Sequence, residues 1–89
     1  MKSFAFELLT RPGCHLCDQA RPLVLAAVAS AGGVVREVDI DSKDALVKDY
    51  GLRIPVLLTA DERVVVEGVI DARFLRRELR RHIRRMAEA

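Results

Sequence analysis

Eighty-nine residues, 51% of them hydrophobic, suffice for a single domain (1–89) with one modest core, and no apolar run approaches the roughly 18 residues that a membrane span needs. The net charge of +2 hides an asymmetry: residues 1–72 carry a balance of −3, whereas residues 73–89 carry +5, from seven arginines against Glu78 and Glu88. Two cysteines three positions apart cannot tie distant loops together, so a disulfide framework is excluded and the pair points to redox or metal chemistry.

Met1-Lys2-Ser3-Phe4 lacks the apolar stretch of an export signal, so the expected address is the reducing cytoplasm. Phe4-Ala5-Phe6-Glu7-Leu8-Leu9-Thr10 is short, mostly apolar and not strictly alternating, which predicts a strand buried on both faces. Pro12-Gly13 breaks it. From Cys14 to about Ser30, Leu16, Ala20, Leu23, Val24, Ala27 and Val28 recur at three- and four-residue steps, predicting a helix with these residues on its buried face. Pro22 stands inside that helix, where a missing N–H and a ring clash produce a kink. Ser30-Ala31-Gly32-Gly33 ends it.

Strand, tight turn, Cys14-His15-Leu16-Cys17, helix: this order places two thiols at a helix N-terminus. Backbone N–H groups there lack intrahelical partners and the macrodipole is positive, so a thiolate is favoured over a thiol. Cysteines at i and i+3 on a first turn share one face and reach each other. The stretch reads as a redox-active dithiol.

Val34 to Ile40 predicts a second strand, parallel to the first after a helical crossover of this length. Asp41 or Ser42 is the expected cap of a short helix with Ala45, Leu46 and Tyr50 facing inward, ended by Gly51. Ile54-Pro55-Val56-Leu57-Leu58-Thr59 begins as a loop and continues as a third strand, its proline at the entry where a missing N–H is tolerated. Asp61-Glu62-Arg63 is a polar turn into a fourth strand, Val64 to Glu67, making an antiparallel hairpin. Asp71 then caps a last helix lined on one side by Ala72, Leu75, Leu79, Ile83 and Met86. The order β-α-β-α-β-β-α predicts an α/β domain, a four-stranded mixed sheet with helices on both faces.

Over nearly its whole length the chain resembles the thioredoxin-fold redox proteins and, within them, a small bacterial glutaredoxin-like family. Cys14-His15-Leu16-Cys17 stands where that family places its active dithiol, and Pro22 where many members kink the active-site helix. Ile54-Pro55 matches the loop whose proline in this fold is cis and faces the dithiol, and Tyr50 to Pro55 looks like the thioredoxin version of that segment. The resemblance implies a thioredoxin-like fold and a thiol–disulfide oxidoreductase, with Cys14 the exposed nucleophile and Cys17 the buried resolving thiol. It implies no bound cofactor, a disulfide-bearing protein or a glutathione mixed disulfide as substrate, glutathione as co-substrate, and a monomer. Arg11 matches a basic residue that glutaredoxins carry, whose cation would stabilise the thiolate and attract an anionic substrate. The backbone of Ile54 beside a cis-Pro55 would pair with an extended substrate strand.

The chain also departs from the family. His15 and Leu16 replace the proline and aromatic usual between the cysteines, and His15 as imidazolium would lower the pKa of Cys14. The Gly-Gly-x-Asp-Asp segment that holds the γ-glutamyl end of glutathione has become Glu67-Gly68-Val69-Ile70-Asp71, which keeps Gly68 and Asp71 and adds the charge of Glu67. Thioredoxin's tryptophan before the dithiol and its buried aspartate are missing.

Two functions compete with the enzyme: a binding module using the Pro55 groove or the basic helix, and a glutathione-dependent iron–sulfur cluster scaffold shared between two chains. Zinc wants four ligands, and only His15 and His82 could join the cysteines, so no metal site is expected. The arginine pairs of the last segment suit a helix docked on one side and wet on the other. With Phe74 its only aromatic, neither nucleic acid nor a membrane is the expected partner. The functional version of that surface is a dock for an acidic protein.

Overall fold

Which loops meet in this chain is decided by strand register. In the computed structural model, which describes residues 4–88, the order is β1 (Phe4–Thr10), α1 (His15–Ser30), β2 (Gly33–Asp39), a 3-10 turn (Ile40–Ser42), α2 (Asp44–Tyr50), β3 (Val56–Thr59), β4 (Val64–Glu67) and α3 (Ala72–Glu88). The strands lie in the order β2-β1-β3-β4. β1 and β2 run parallel, Thr10 opposite Asp39. β3 runs antiparallel to both β1 and β4, with Leu9 opposite Val56 and Val56 opposite Glu67. This is the expected mixed α/β sheet.

Alternation splits the apolar residues between two faces. Phe6, Leu8, Leu57 and Val66 meet Val24 and Val28 of α1 and Leu75 and Leu79 of α3. Leu9, Val56 and Leu58 point the other way, against Ile40 and the half-buried Leu46, Val47 and Tyr50 around α2. Each fully buried leucine contributes about 1.5–3 kcal/mol of transfer free energy. At seven residues, α2 is only about 10 Å long. It covers one end of its face. β1 is therefore buried on both faces only from Leu8 to Thr10, while Ala5 is exposed and Glu7 half-buried.

Four local expectations are corrected. The buried face of α1 is Cys17, Ala20, Val24 and Val28, whereas Leu16 and Leu23 are each 38% exposed on its flank. The stripe of apolar residues there is wider than the surface the helix can bury. Ala45 faces solvent and Val47 packs in its place. Ile40 leaves the second strand for the 3-10 turn and is fully buried there. Neither Asp41 nor Ser42 caps α2: Lys43 occupies the N-cap without a side-chain bond, and the Asp39 carboxylate instead accepts from the Asp41 N–H at 2.9 Å. Asp71 does cap α3, accepting from the Phe74 N–H at 2.8 Å. Among the described residues no helix is long and apolar enough to cross a membrane.

Candidate functional site

Three strand ends and one helix start converge at one edge of the sheet. Thr10 ends β1, and a tight turn, closed by the Cys14 N–H donating to the Arg11 carbonyl at 3.2 Å, delivers the chain into α1. Gly13 takes a φ of +80° in that turn, a left-handed conformation that a side chain resists. The register Leu9 opposite Val56 brings Ile54 and Pro55 to the same edge, and their peptide bond is cis. Val56 opposite Glu67 sets Gly68 alongside, where its N–H donates to the Pro55 carbonyl at 2.9 Å.

Cys14 is the N-cap of α1, extended at φ −88° and ψ 106°, and Cys17 lies in its first turn. Their Cα atoms are 5.2 Å apart and their sulfurs form a disulfide. The Cys17 N–H, otherwise an orphan donor of the first turn, donates to Cys14 Sγ at 3.2 Å. Cys17 is 0% exposed and Cys14 half-buried, so the second sulfur is reached only through the first. His15 and Leu16 are exposed beside them, with His15 Nε2 3.2 Å from the side-chain amide of Gln19.

The charged residues around the edge are mostly paired. Arg11 donates from Nε and a terminal nitrogen to one Asp41 oxygen, at 2.9 and 2.7 Å. That bond raises the pKa of the guanidinium and holds the Asp41 carboxyl below its ordinary range. Arg21 of α1 grips Glu37 of β2 at 2.8 and 2.9 Å and reaches Asp18 at 3.1 Å, while the buried Thr10 hydroxyl donates to Glu37 at 2.8 Å. The Arg21 bond, outweighing partial burial, holds the Glu37 carboxyl low, and Thr10 adds to it. β1, β2 and α1 are thereby joined just behind the dithiol.

Glu67 does not stand as a free negative charge beside Gly68. Arg53 donates to both its oxygens, at 2.8 and 3.2 Å, and lies 5.0 Å over the Tyr50 ring. Among the described residues no group of three or more His, Cys, Asp or Glu is arranged to hold a metal ion. Two apolar residues escape sequence reasoning altogether: Leu52, before the cis-proline loop, and Val69, after Gly68, are 104% and 82% exposed. They carry no periodic signal because both lie in loops. The charge pairs were hidden for another reason, since Arg11 with Asp41 and Arg53 with Glu67 depend on register.

The family model described as Glutaredoxin-like domain (DUF836) matches residues 5–84. The X-ray structure of target protein XcR50 from X. campestris is 40% identical, over 84% of this chain and 95% of that one, with a TM-score of 0.71. Protein Ne2328 from Nitrosomonas europaea, 20% identical over 84% and 89% of the two chains, shares the fold at a TM-score of 0.69. A mutant thioredoxin from Halobacterium salinarum is 26% identical over 85% of this chain and 71% of that one, at a TM-score of 0.62. No curated protein matches.

Proposed function

The chain belongs to the glutaredoxin-like domain family, and we propose that it is a cofactor-free thiol–disulfide oxidoreductase acting through Cys14 and Cys17. The observation that carries this reading is the Cys17 N–H aimed at Cys14 Sγ on the first turn of α1. A donor there, with the positive end of the helix behind it, lowers the energy of a Cys14 thiolate and makes that sulfur both a nucleophile and a good leaving group.

In the reducing direction the Cys14 thiolate attacks one sulfur of a target disulfide. The target's other sulfur leaves as a thiolate, and a mixed disulfide remains. Cys17, deprotonated, then attacks Cys14 Sγ and expels the second target thiolate. Two electrons have passed to the target, and the protein is left with its Cys14–Cys17 disulfide. Two molecules of an external thiol such as glutathione restore the dithiol. The first opens the Cys14–Cys17 disulfide as a mixed disulfide on Cys14, and the second attacks that adduct and leaves with the first as their disulfide.

Ile54 and the cis-Pro55 would hold an extended substrate segment against the dithiol, with Gly68 closing that loop from the side. The exposure of Leu16, Leu52 and Val69 around it favours an apolar peptide segment over a small anion as the bound group. Arg11 and Asp71, bonded to Asp41 and to the α3 N-terminus, act mainly as supports of the loops in this reading. His15 stands next to the attacking sulfur, open to solvent. Exchange of this kind suits a monomer in the reducing cytoplasm.

Glutathione-dependent reduction of a small mixed disulfide, run on the native protein, Cys14→Ser and Cys17→Ser, tests the proposal. Activity should vanish in Cys14→Ser. A Cys17→Ser protein that still turns over uses one thiol and glutathione. One that instead accumulates a stable adduct with a peptide disulfide uses both thiols on protein targets. A native protein whose disulfide neither reduces nor exchanges would rule out the enzyme.

A further inference from the structure

On the outside of the helical layer, α1 and α3 are separated by a trough. Two recesses of about 270 and 250 Å³ share Ala27, Ser30 and Arg76 as lining, so they run into one another along the helices. The trough's accessible apolar lining comes mostly from the α1 side, Leu23, Ala26, Ala27 and, just past the helix, Ala31, while Leu75 and Leu79 of α3 are buried behind it. From Pro22 to Ser30 α1 carries no charge at all.

The opposite wall is cationic. Arg76 and Arg80 line the trough, and Arg73 and Arg84 extend their row at three- and four-residue steps. The remaining arginines of α3 are occupied: Arg77 and Arg81 contact Glu78, and Arg85 contacts Asp61. Among the described residues Arg73, Arg76, Arg80 and Arg84 have no acidic partner, and all four are exposed. Four like charges in about 16 Å of helix repel one another unless an anion lies along them.

We propose that this trough docks an acidic amphipathic helix of a partner protein, its apolar ridge against Leu23, Ala26 and Ala27 and its carboxylates along the Arg73–Arg84 row. An apolar ridge recurs every three to four residues, the same step as the arginines, so three turns of such a helix match the row. A lipid surface fits less well. Of the protruding leucines Leu23 and Leu25 of α1, Leu23 lines the trough, whereas Leu25 lies on the opposite flank of that helix, so they do not form one apolar face. Nucleic acid fits less well too, since the aromatic ring available for stacking, Phe74, already lies under the Arg77 guanidinium at 5.2 Å.

The test uses a Cys14→Ser/Cys17→Ser background, so that it reads docking whether or not the dithiol turns over. The probe is a fluorescent helical peptide of about 18 residues, with leucine on one face and glutamate flanking it, and its anisotropy is followed on titration. Saturable binding should weaken by about tenfold or more in Arg76→Glu/Arg80→Glu and less than about twofold in Lys48→Glu/Arg63→Glu, which changes net charge equally elsewhere. Ser30→Trp, which fills the trough without altering charge, and a peptide with serine for leucine should each lower affinity by a similar factor. Absence of saturable binding overturns the proposal. So does an equal loss in the two charge variants, or tighter binding to phosphatidylglycerol vesicles or a single-stranded oligonucleotide than to the peptide.

Discussion

On one face of the sheet, α1 and α3 enclose a cluster in which nine side chains are buried; on the other, α2 covers four. The dithiol rides on the first layer through α1, whereas the Asp41 turn and the cis-proline loop hang from the second. Ile40 anchors the turn and Val56 the loop, both fully buried in the small cluster. The larger face thus holds the fold together, and the smaller one sets where the loops stand relative to two sulfurs that it does not touch. Stability and site geometry are therefore separable by mutation.

The largest effect is expected at Leu75, fully buried between α3 and the sheet. Leu75→Ala should lose about 2–5 kcal/mol in chemical denaturation, and the protein that remains folded should exchange disulfides at the native rate. Val56→Ala on the small face should lose about 2 kcal/mol and, unlike Leu75→Ala, also slow exchange with a peptide disulfide, because the loop carrying Pro55 starts there. Equal slowing in both would break the comparison.

Arg21→Ala sharpens it at the junction of the faces. Glu37 is held below its ordinary 4.5 by Arg21, so this contribution is complete above that pH and is lost as pH falls through the lowered native value. The partners are partly exposed, so the difference from native should be only about 1 kcal/mol at pH 7. Denaturation across the acid range should show it closing below about pH 4. Smallest of all is Arg53→Ala, which frees Glu67. Reduction of a glutathione mixed disulfide should fall by no more than about threefold, an effect screened by salt, while a neutral peptide disulfide should be reduced unchanged.

Much of this was legible because it is local. Pro12-Gly13 before a Cys-x-x-Cys, the apolar steps of α1 and α3, Asp71 as a cap and the turn at Asp61 are each written within a few residues. Phase was readable only roughly: Leu16 and Leu23 fit a helical stripe as well as Val24 does, yet the sheet is too narrow to cover them. The same holds for Ala45 against Val47. What stayed hidden depends on register across the sheet, since nothing near Glu67 announces that Arg53 will neutralise it, and nothing near Arg11 announces Asp41. The exposed Leu52 and Val69 were hidden by having no period at all.

The alkylation rate of Cys14 as a function of pH, measured in Cys17→Ser, bears most directly on the dithiol chemistry. The substitution keeps the backbone N–H that points at Cys14 Sγ. A thiol titrating well below the free value of about 8.5 is the predicted result. A midpoint at or above that value would contradict it and leave the fold as a binding module.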